Sequence, residues 1–223
     1  MIHHLVFGRK AIVKNEGLIL DLPFQNSFVD ATGKNTMIAG GTSNLPTFTL
    51  EGGEYAATFN GSKSLKTNAN FVLGTDKVSI SFWMKTTQTT EGIFVELSSN
   101  YGSNNAFRAN IFTNKGTMGS HTSAGFNFVL TNSNINDGSW KHIVMINDRS
   151  KSGTNETQIY INKILDYSNN ITTNLSGIFD NFTLFIGQRN GSSFGFNGQM
   201  KFLKIFNYPL STTEITNLYN KTI

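Results

Sequence analysis

Short stretches in which apolar and polar residues alternate, broken by glycine and asparagine, run along most of this chain. Val78, Ile80, Phe82 and Met84 alternate with Ser79, Ser81, Trp83 and Lys85, the period of a strand with one face in a core. The same pattern predicts strands at 18–24 (LILDLPF), where Pro23 marks an edge or an end, and at 55–59, which runs into an Asn60-Gly61 turn from which 64–67 returns. Further strands are predicted at 91–97, 106–112 and 125–130, with polar loop 98–105 before the second and a Gly/Ser/Thr connection before the third. Segment 140–146 is apolar on both faces, with Trp140, Val144 and Ile146 on one and Ile143 and Met145 on the other. Such a strand belongs inside a layered structure. Segments 158–162 and 164–167 read as a hairpin, and 30–44 as a long polar connection.

The stretch 182–219 carries the densest local information. Phe182, Leu184 and Ile186 alternate up to Gly187, and the pairs Asn190-Gly191 and Asn197-Gly198 bracket a connection, since Asn and Gly accept positive φ readily. From 199 to 206 the chain is strand-like again, with Leu203 and Ile205 on one face. Pro209 stops it, and Ser211 to Glu214 spells a capping box with Leu210 and Ile215 placed as a hydrophobic staple. Many short strands and one terminal helix predict an all-β protein, an antiparallel two-sheet sandwich or jelly roll.

With 223 residues, 38% of them hydrophobic, the chain is expected to form one domain. Residues 1–17 read as an N-terminal arm or edge hairpin and 18–223 as the domain itself. Only 14% of residues are charged, the net charge is +4, and the basic residues are scattered, so no nucleic-acid partner is expected. The absence of cysteine excludes disulfides, thiolate metal sites and a cysteine nucleophile. The apolar runs near Met1 are too short for a signal-peptide core, and no run approaches the roughly 20 apolar residues of a membrane span. Neither export by the usual N-terminal signal nor membrane insertion is expected, and the Asn-x-Ser/Thr sites at Asn155, Asn170, Asn174 and Asn181 are not read as glycosylated.

Catalytic patterns are missing. Retaining glycoside hydrolysis needs two carboxylates about 5 Å apart, whereas Glu51 and Glu54 flank Gly52-Gly53 and the spacing of Glu91 and Glu96 predicts opposite faces of a strand. No zincin, nucleophile-elbow or phosphate-loop motif is present, and His142 reads as a packed histidine. The chain is therefore not expected to be an enzyme. Sugar recognition needs planar apolar faces beside amides and hydroxyls. Two loops have that composition: Tyr101, Asn104 and Asn105 with Arg108, and Gln188, Arg189 and Asn190 with Phe194. Trp83, on the polar face of its strand, is a further candidate platform. For Trp83 and Phe194, packing at the core or rim is the competing reading.

Several segments in order resemble the laminin G-like branch of the concanavalin A-like lectin/glucanase jelly rolls. They are Asp30-Ala31-Thr32-Gly33, Thr58-Phe59-Asn60-Gly61, the strand from Val78 to Lys85, Asp137-Gly138-Ser139-Trp140-Lys141-His142, Gln158-Ile159-Tyr160-Ile161-Asn162 and the stretch 182–219. The resemblance spans about 18 to 219 and implies a jelly-roll sandwich. It also implies a structural calcium ion with Asp30 among its ligands, but Lys201 and Phe202 stand where that family often has acidic residues, and an ammonium there repels a cation. No other cofactor is expected. The implied role is a non-catalytic recognition or assembly module whose partners are a glycan or other surface proteins, with homo-oligomerisation compatible. A bacteriophage virion component assembled in the host cytoplasm is the leading setting. A carbohydrate-binding module of a secreted bacterial protein, hence extracellular, is the alternative, and a glycoside hydrolase the least favoured.

Overall fold

The computed structural model describes residues 16–41, 44–97, 106–122, 125–151, 155–169, 177–179 and 181–221. Most of the expected arm, residues 1–15, and the loop 98–105 lie outside them. The first strands are β1 (Leu18–Leu22), β2 (Met37–Ala39), β3 (Thr47–Glu51), β4 (Glu54–Asn60) and β5 (Leu65–Thr67). The middle of the chain forms β6 (Lys77–Lys85), β7 (Gly92–Leu97), β8 (Phe107–Phe112), β9 (Lys115–Thr122) and β10 (Gly125–Asn134). The last part forms β11 (Lys141–Asp148), β12 (Thr157–Ile161), β13 (Ile164–Asn169), β14 (Leu184–Ile186), β15 (Asn197–Phe206) and the helix α1 (Thr212–Tyr219).

These strands make two antiparallel sheets, packed as a sandwich. One runs β13-β12-β11-β6-β15-β4-β3, with β1 also on β15, and the other runs β10-β9-β8-β7-β14-β5-β2. The alternation in β6 sends Ile80, Phe82 and Met84 into the space between the sheets, where Phe94, Leu97, Phe107 and Ile111 meet them from the other side. Phe82 and Phe94 touch across that space with ring centroids 5.1 Å apart, and burying each such side chain is worth about 1.5–3 kcal/mol.

The outer face of the eight-stranded sheet is covered too. Val144 and Ile146 of β11, with Tyr160 and Phe206, form a second cluster with Leu210, Ile215 and Leu218 of the helix segment, which is why β11 is apolar on both faces. Ser211 caps α1: its hydroxyl accepts from Glu214 N, and the Glu214 carboxylate accepts from Ser211 N at 2.8 Å. The expected capping box and staple are both present. Ser79 and Ser81 are buried beneath this layer, with the Ser79 hydroxyl donating to Tyr208 O at 2.7 Å and accepting from Leu210 N at 3.0 Å.

Several expectations are corrected. Segment 64–67 does not pair with 55–59, because β4 and β5 belong to different sheets; the Asn60-Gly61 turn carries the chain across the sandwich. The polar connection 30–44 contains β2, the strand β3 follows it, and the connection before 125 is β9. β9 escaped the pattern because it sends one large apolar residue, Met118, into the core and follows a two-residue turn, Thr113-Asn114 (φ 46° and 72°). A β-branched residue at positive φ is unusual there.

Candidate functional site

On β7 a bulge between Ile93 and Val95 breaks the two-residue period. Phe94 and Val95 both enter the core, so the carboxylates on either side of them, Glu91 and Glu96, emerge on one outer face of the seven-stranded sheet. That corrects the expectation of opposite faces, which assumed an unbroken alternation. Glu96 is the cross-strand partner of Arg108, and Arg108 Nη1 reaches Glu91 Oε1 at 3.1 Å. Arg189, from the connection after β14, donates through Nε to Glu96 Oε2 at 3.0 Å.

A transverse row crosses this face. Lys66, Phe185, Glu96, Arg108, Gly119 and Phe128 are successive register partners on β5, β14, β7, β8, β9 and β10. Gly119 leaves the row open between Arg108 and Phe128. Beside it Asn110 donates to Glu91 Oε1 at 3.5 Å and accepts from Thr117 Oγ1. Glu96, Arg108, Asn110, Thr117 and Arg189 are all buried, so the groups are held by one another, not by solvent. Burial pushes the Glu96 carboxyl up, while the Arg189 guanidinium pulls it back; Glu91 is raised by burial as well, with the same opposing pull.

The loop that carries Arg189 folds tightly on itself. Arg189 N donates to Ser193 O at 2.8 Å, with Asn190 and Gly191 both at positive φ. Gln188 Nε2 donates to Gly61 O at 3.0 Å. Gly195 lies against the other loop so closely that a Cβ there would sit 1.8 Å from Gly61 O. Phe194 is held at φ 50°, a conformation that disfavours a bulky residue, and keeps 39% of its surface exposed. The Arg189 guanidinium lies 4.6 Å from its ring centroid. Phe112 and Phe128, each 39% exposed, meet edge-to-face at 6.0 Å on β8 and β10. The face therefore offers buried, mutually fixed guanidinium, carboxylate and amide groups, with exposed aromatic rings for C–H surfaces.

Of the residues singled out in the sequence, Arg108, Gln188, Arg189, Asn190 and Phe194 come from these neighbouring segments, and Arg108 and Arg189 meet the same carboxylate pair. Tyr101, Asn104 and Asn105 lie outside the described residues. Trp83 belongs to the opposite sheet, where it is half-buried and stacks on Tyr219 at 5.4 Å. Asn110, Phe112 and Phe128 were not singled out, and Glu91 and Glu96 were set aside as lying on opposite faces, because a bulge inside an uninterrupted apolar run leaves no mark in the sequence.

Asp30 holds a turn. Its Oδ1 accepts from Asp21 N and Thr32 N at 2.9 and 3.0 Å, and its Oδ2 from Thr32 Oγ1, Asn35 N and Asn35 Nδ2 at 2.7–2.9 Å. Burial works against its charge, but these bonds hold its carboxyl below the usual carboxylate range. A calcium ion wants six to eight oxygens, including carboxylates. Both Asp30 oxygens are occupied by donors, and Lys201 is paired with Glu54 Oε2 at 2.6 Å. Among the described residues no group of three or more His, Asp or Glu is placed to hold a metal ion. The residues present do not fit a calcium ion without breaking that turn.

A family model described as the concanavalin A-like lectin/glucanases superfamily matches residues 35–216. Among curated proteins none matches the chain. Among solved structures, domain 4 of a GH43 extracellular arabinanase from Geobacillus stearothermophilus, in complex with arabinotriose, superposes with a TM-score of 0.72 at 19% identity, over 91% of this chain and 98% of that one. The receptor binding domain of a botulinum neurotoxin C/D mosaic serotype gives 0.68 at 17% identity, over 92% of this chain and 51% of that one. The binding domain of botulinum neurotoxin DC in complex with SialylT gives 0.69 at 16% identity, over 94% and 52%. The chain thus spans about half the length of the toxin domains and nearly all of the arabinanase domain, and at these identities the likeness is one of fold.

Proposed function

The chain belongs to the concanavalin A-like lectin/glucanases superfamily, and from that premise we propose that it is a glycan-binding module without catalytic activity, using the outer face of the seven-stranded sheet. The observation that carries this reading is the row Glu96–Arg108 with Arg189 and Glu91, flanked by the exposed rings of Phe194 on one side and Phe112 and Phe128 on the other. Fixed guanidinium and amide groups suit sugar hydroxyls or carboxylates, and aromatic rings suit the C–H faces of pyranose or furanose units. Each carboxylate is ion-paired with an arginine, and the non-catalytic part of the proposal rests on reading that network as a fixed binding surface.

Support also comes from the relatives: the arabinanase domain was solved with arabinotriose and the toxin domain with SialylT. A glycan array followed by calorimetry on the best ligand tests the proposal. Binding is expected, and Phe194→Ala is expected to weaken it about tenfold, the scale of one stacking contact. Binding that is unchanged in Phe194→Ala and Phe128→Ala removes this face from the proposal, and sugar release from a polysaccharide panel overturns its non-catalytic part. A virion as the carrier rests on fold-level analogy alone, and mass spectrometry of purified particles tests it.

A further inference from the structure

On the opposite side of the sandwich, where the end of α1 meets β1, β6, β11 and β15, lies a cavity of about 270 Å³. Its wall includes Asp21, Trp83, His142, Phe202, Lys204 and Lys221. Three buried polar atoms of these residues have no hydrogen-bond partner among the described residues: Asp21 Oδ1, Trp83 Nε1 and His142 Nδ1. His142 is 1% exposed, and its other ring nitrogen is engaged by the Ser81 hydroxyl at 2.9 Å. Buried polar groups in a native protein are completed by protein, water or ligand, and here three of them border one space. Phe202, held at φ 55° in the β15 bulge, adds an aromatic face, and the Lys221 ammonium stands 5.0 Å from its ring centroid and 5.8 Å from that of Trp83.

The three atoms differ in what they need. Trp83 Nε1 only donates, the carboxylate oxygen Asp21 Oδ1 accepts, and His142 Nδ1 does either, depending on its tautomer. An inorganic anion leaves Asp21 Oδ1 without a donor, and a simple ammonium leaves Trp83 Nε1 without an acceptor. Neighbouring hydroxyls on a ring give and take hydrogen bonds at once, and the ring's C–H face matches the apolar wall. The volume falls below the roughly 300–1,000 Å³ of drug-sized sites, which admits one ring and no longer chain. We propose that this cavity is a second carbohydrate site, taking a single pyranose ring with Trp83 Nε1 and Asp21 Oδ1 as its polar anchors. It lies on the other sheet from Arg189 and Phe194 and does not rest on binding there.

The protein has two tryptophans, so in a Trp140→Phe chain the emission comes from Trp83 alone. That emission is titrated with the methyl β-glycosides of glucose, galactose, N-acetylglucosamine and glucuronic acid. At least one is expected to shift it saturably, with a Kd of millimolar order, as suits a ligand of one ring. Calorimetry with that glycoside on Trp83→Phe, which keeps a ring and removes the N–H, is expected to show about tenfold weaker binding. Lys221→Met, at the helix end, is expected to weaken it about threefold or more and keeps the test open if Trp83→Phe folds poorly. No saturable response to any of the four glycosides overturns the proposal. So does an affinity unchanged in either variant, or one lost in Phe194→Ala, which places the ring on the other sheet.

Discussion

Arg189 Nε donates to Glu96 Oε2 at 3.0 Å with both side chains almost withdrawn from solvent, at 6% and 3% exposure. The pair joins the loop after β14 to the middle of β7 and so sets where Phe194 stands. Removing one member of such a pair leaves the other charge buried and uncompensated, at about 3–5 kcal/mol. Glu96→Leu is therefore expected to lower Tm by roughly 6 °C or more, given about 2–4 °C per kcal/mol for a protein this long. The double variant Glu96→Leu with Arg189→Met, which removes both charges, is expected to regain most of that loss. Thermal melts of the two variants check it, and a double variant no more stable than the single one refutes the pairing.

Phe194 separates stability from binding. Its φ of 50° is a strained conformation for a residue with a Cβ, costing about 1–2 kcal/mol. Phe194→Gly relieves that strain while losing the contact with Arg189, worth about 0.5–1 kcal/mol at an exposed site. Tm is expected to stay within about 3 °C of the parent or to rise, while glycan affinity falls. A marked drop in Tm would mean that the ring serves the fold and not a ligand.

Gly195 controls the placement of the same loop. A Cβ there would meet the backbone carbonyl of Gly61 at 1.8 Å, and since the position of a Cβ is fixed by its own backbone, neither can turn aside. Gly195→Ala is expected to displace the loop, lowering Tm and abolishing binding together, as calorimetry and a melt on one preparation would show. Parent-like values for both would contradict the contact.

His142 links stability to pH. Burial alone lowers its imidazole to about 4, against an ordinary value of 6.5. Between these values the unfolded chain binds a proton that the folded protein refuses, so stability falls as pH drops from 6.5 towards 4, by up to about 3 kcal/mol. Above 6.5 the effect is fully present and constant. His142→Gln is expected to flatten that limb relative to the parent, measured by urea unfolding from about pH 7 to about pH 4, a range that spans the two pKa values. Glu96 and Glu91, raised by burial, act in the opposite sense, since their contribution is lost as pH rises through their folded values. The difference between parent and variant isolates the histidine.

The helix cap gives a smaller, local test. Ser211→Ala removes the acceptor for Glu214 N and is expected to cost about 1 kcal/mol, or about 2–4 °C in Tm. Because α1 covers Val144, Ile146 and Phe206, the loss registers in global unfolding and not merely in fraying.

What the sequence determined by itself is whatever short-range chemistry decides. The two-residue period of 78–85, the apolar double face of 140–146 and the cap at Ser211 each act within a few residues, and strands, sandwich and helix follow from them. The tertiary structure decided which segments share a sheet and which side chains share a face, because both depend on pairing between distant parts of the chain. β4 and β5 are a few residues apart yet lie in different sheets, and β9 is a strand because β8 and β10 pair with it. One bulge on β7 reverses the parity that the sequence predicts for Glu91 and Glu96. That single extra residue, invisible in the run Ile93-Phe94-Val95, places both carboxylates before Arg108 and Arg189 and thereby makes the site.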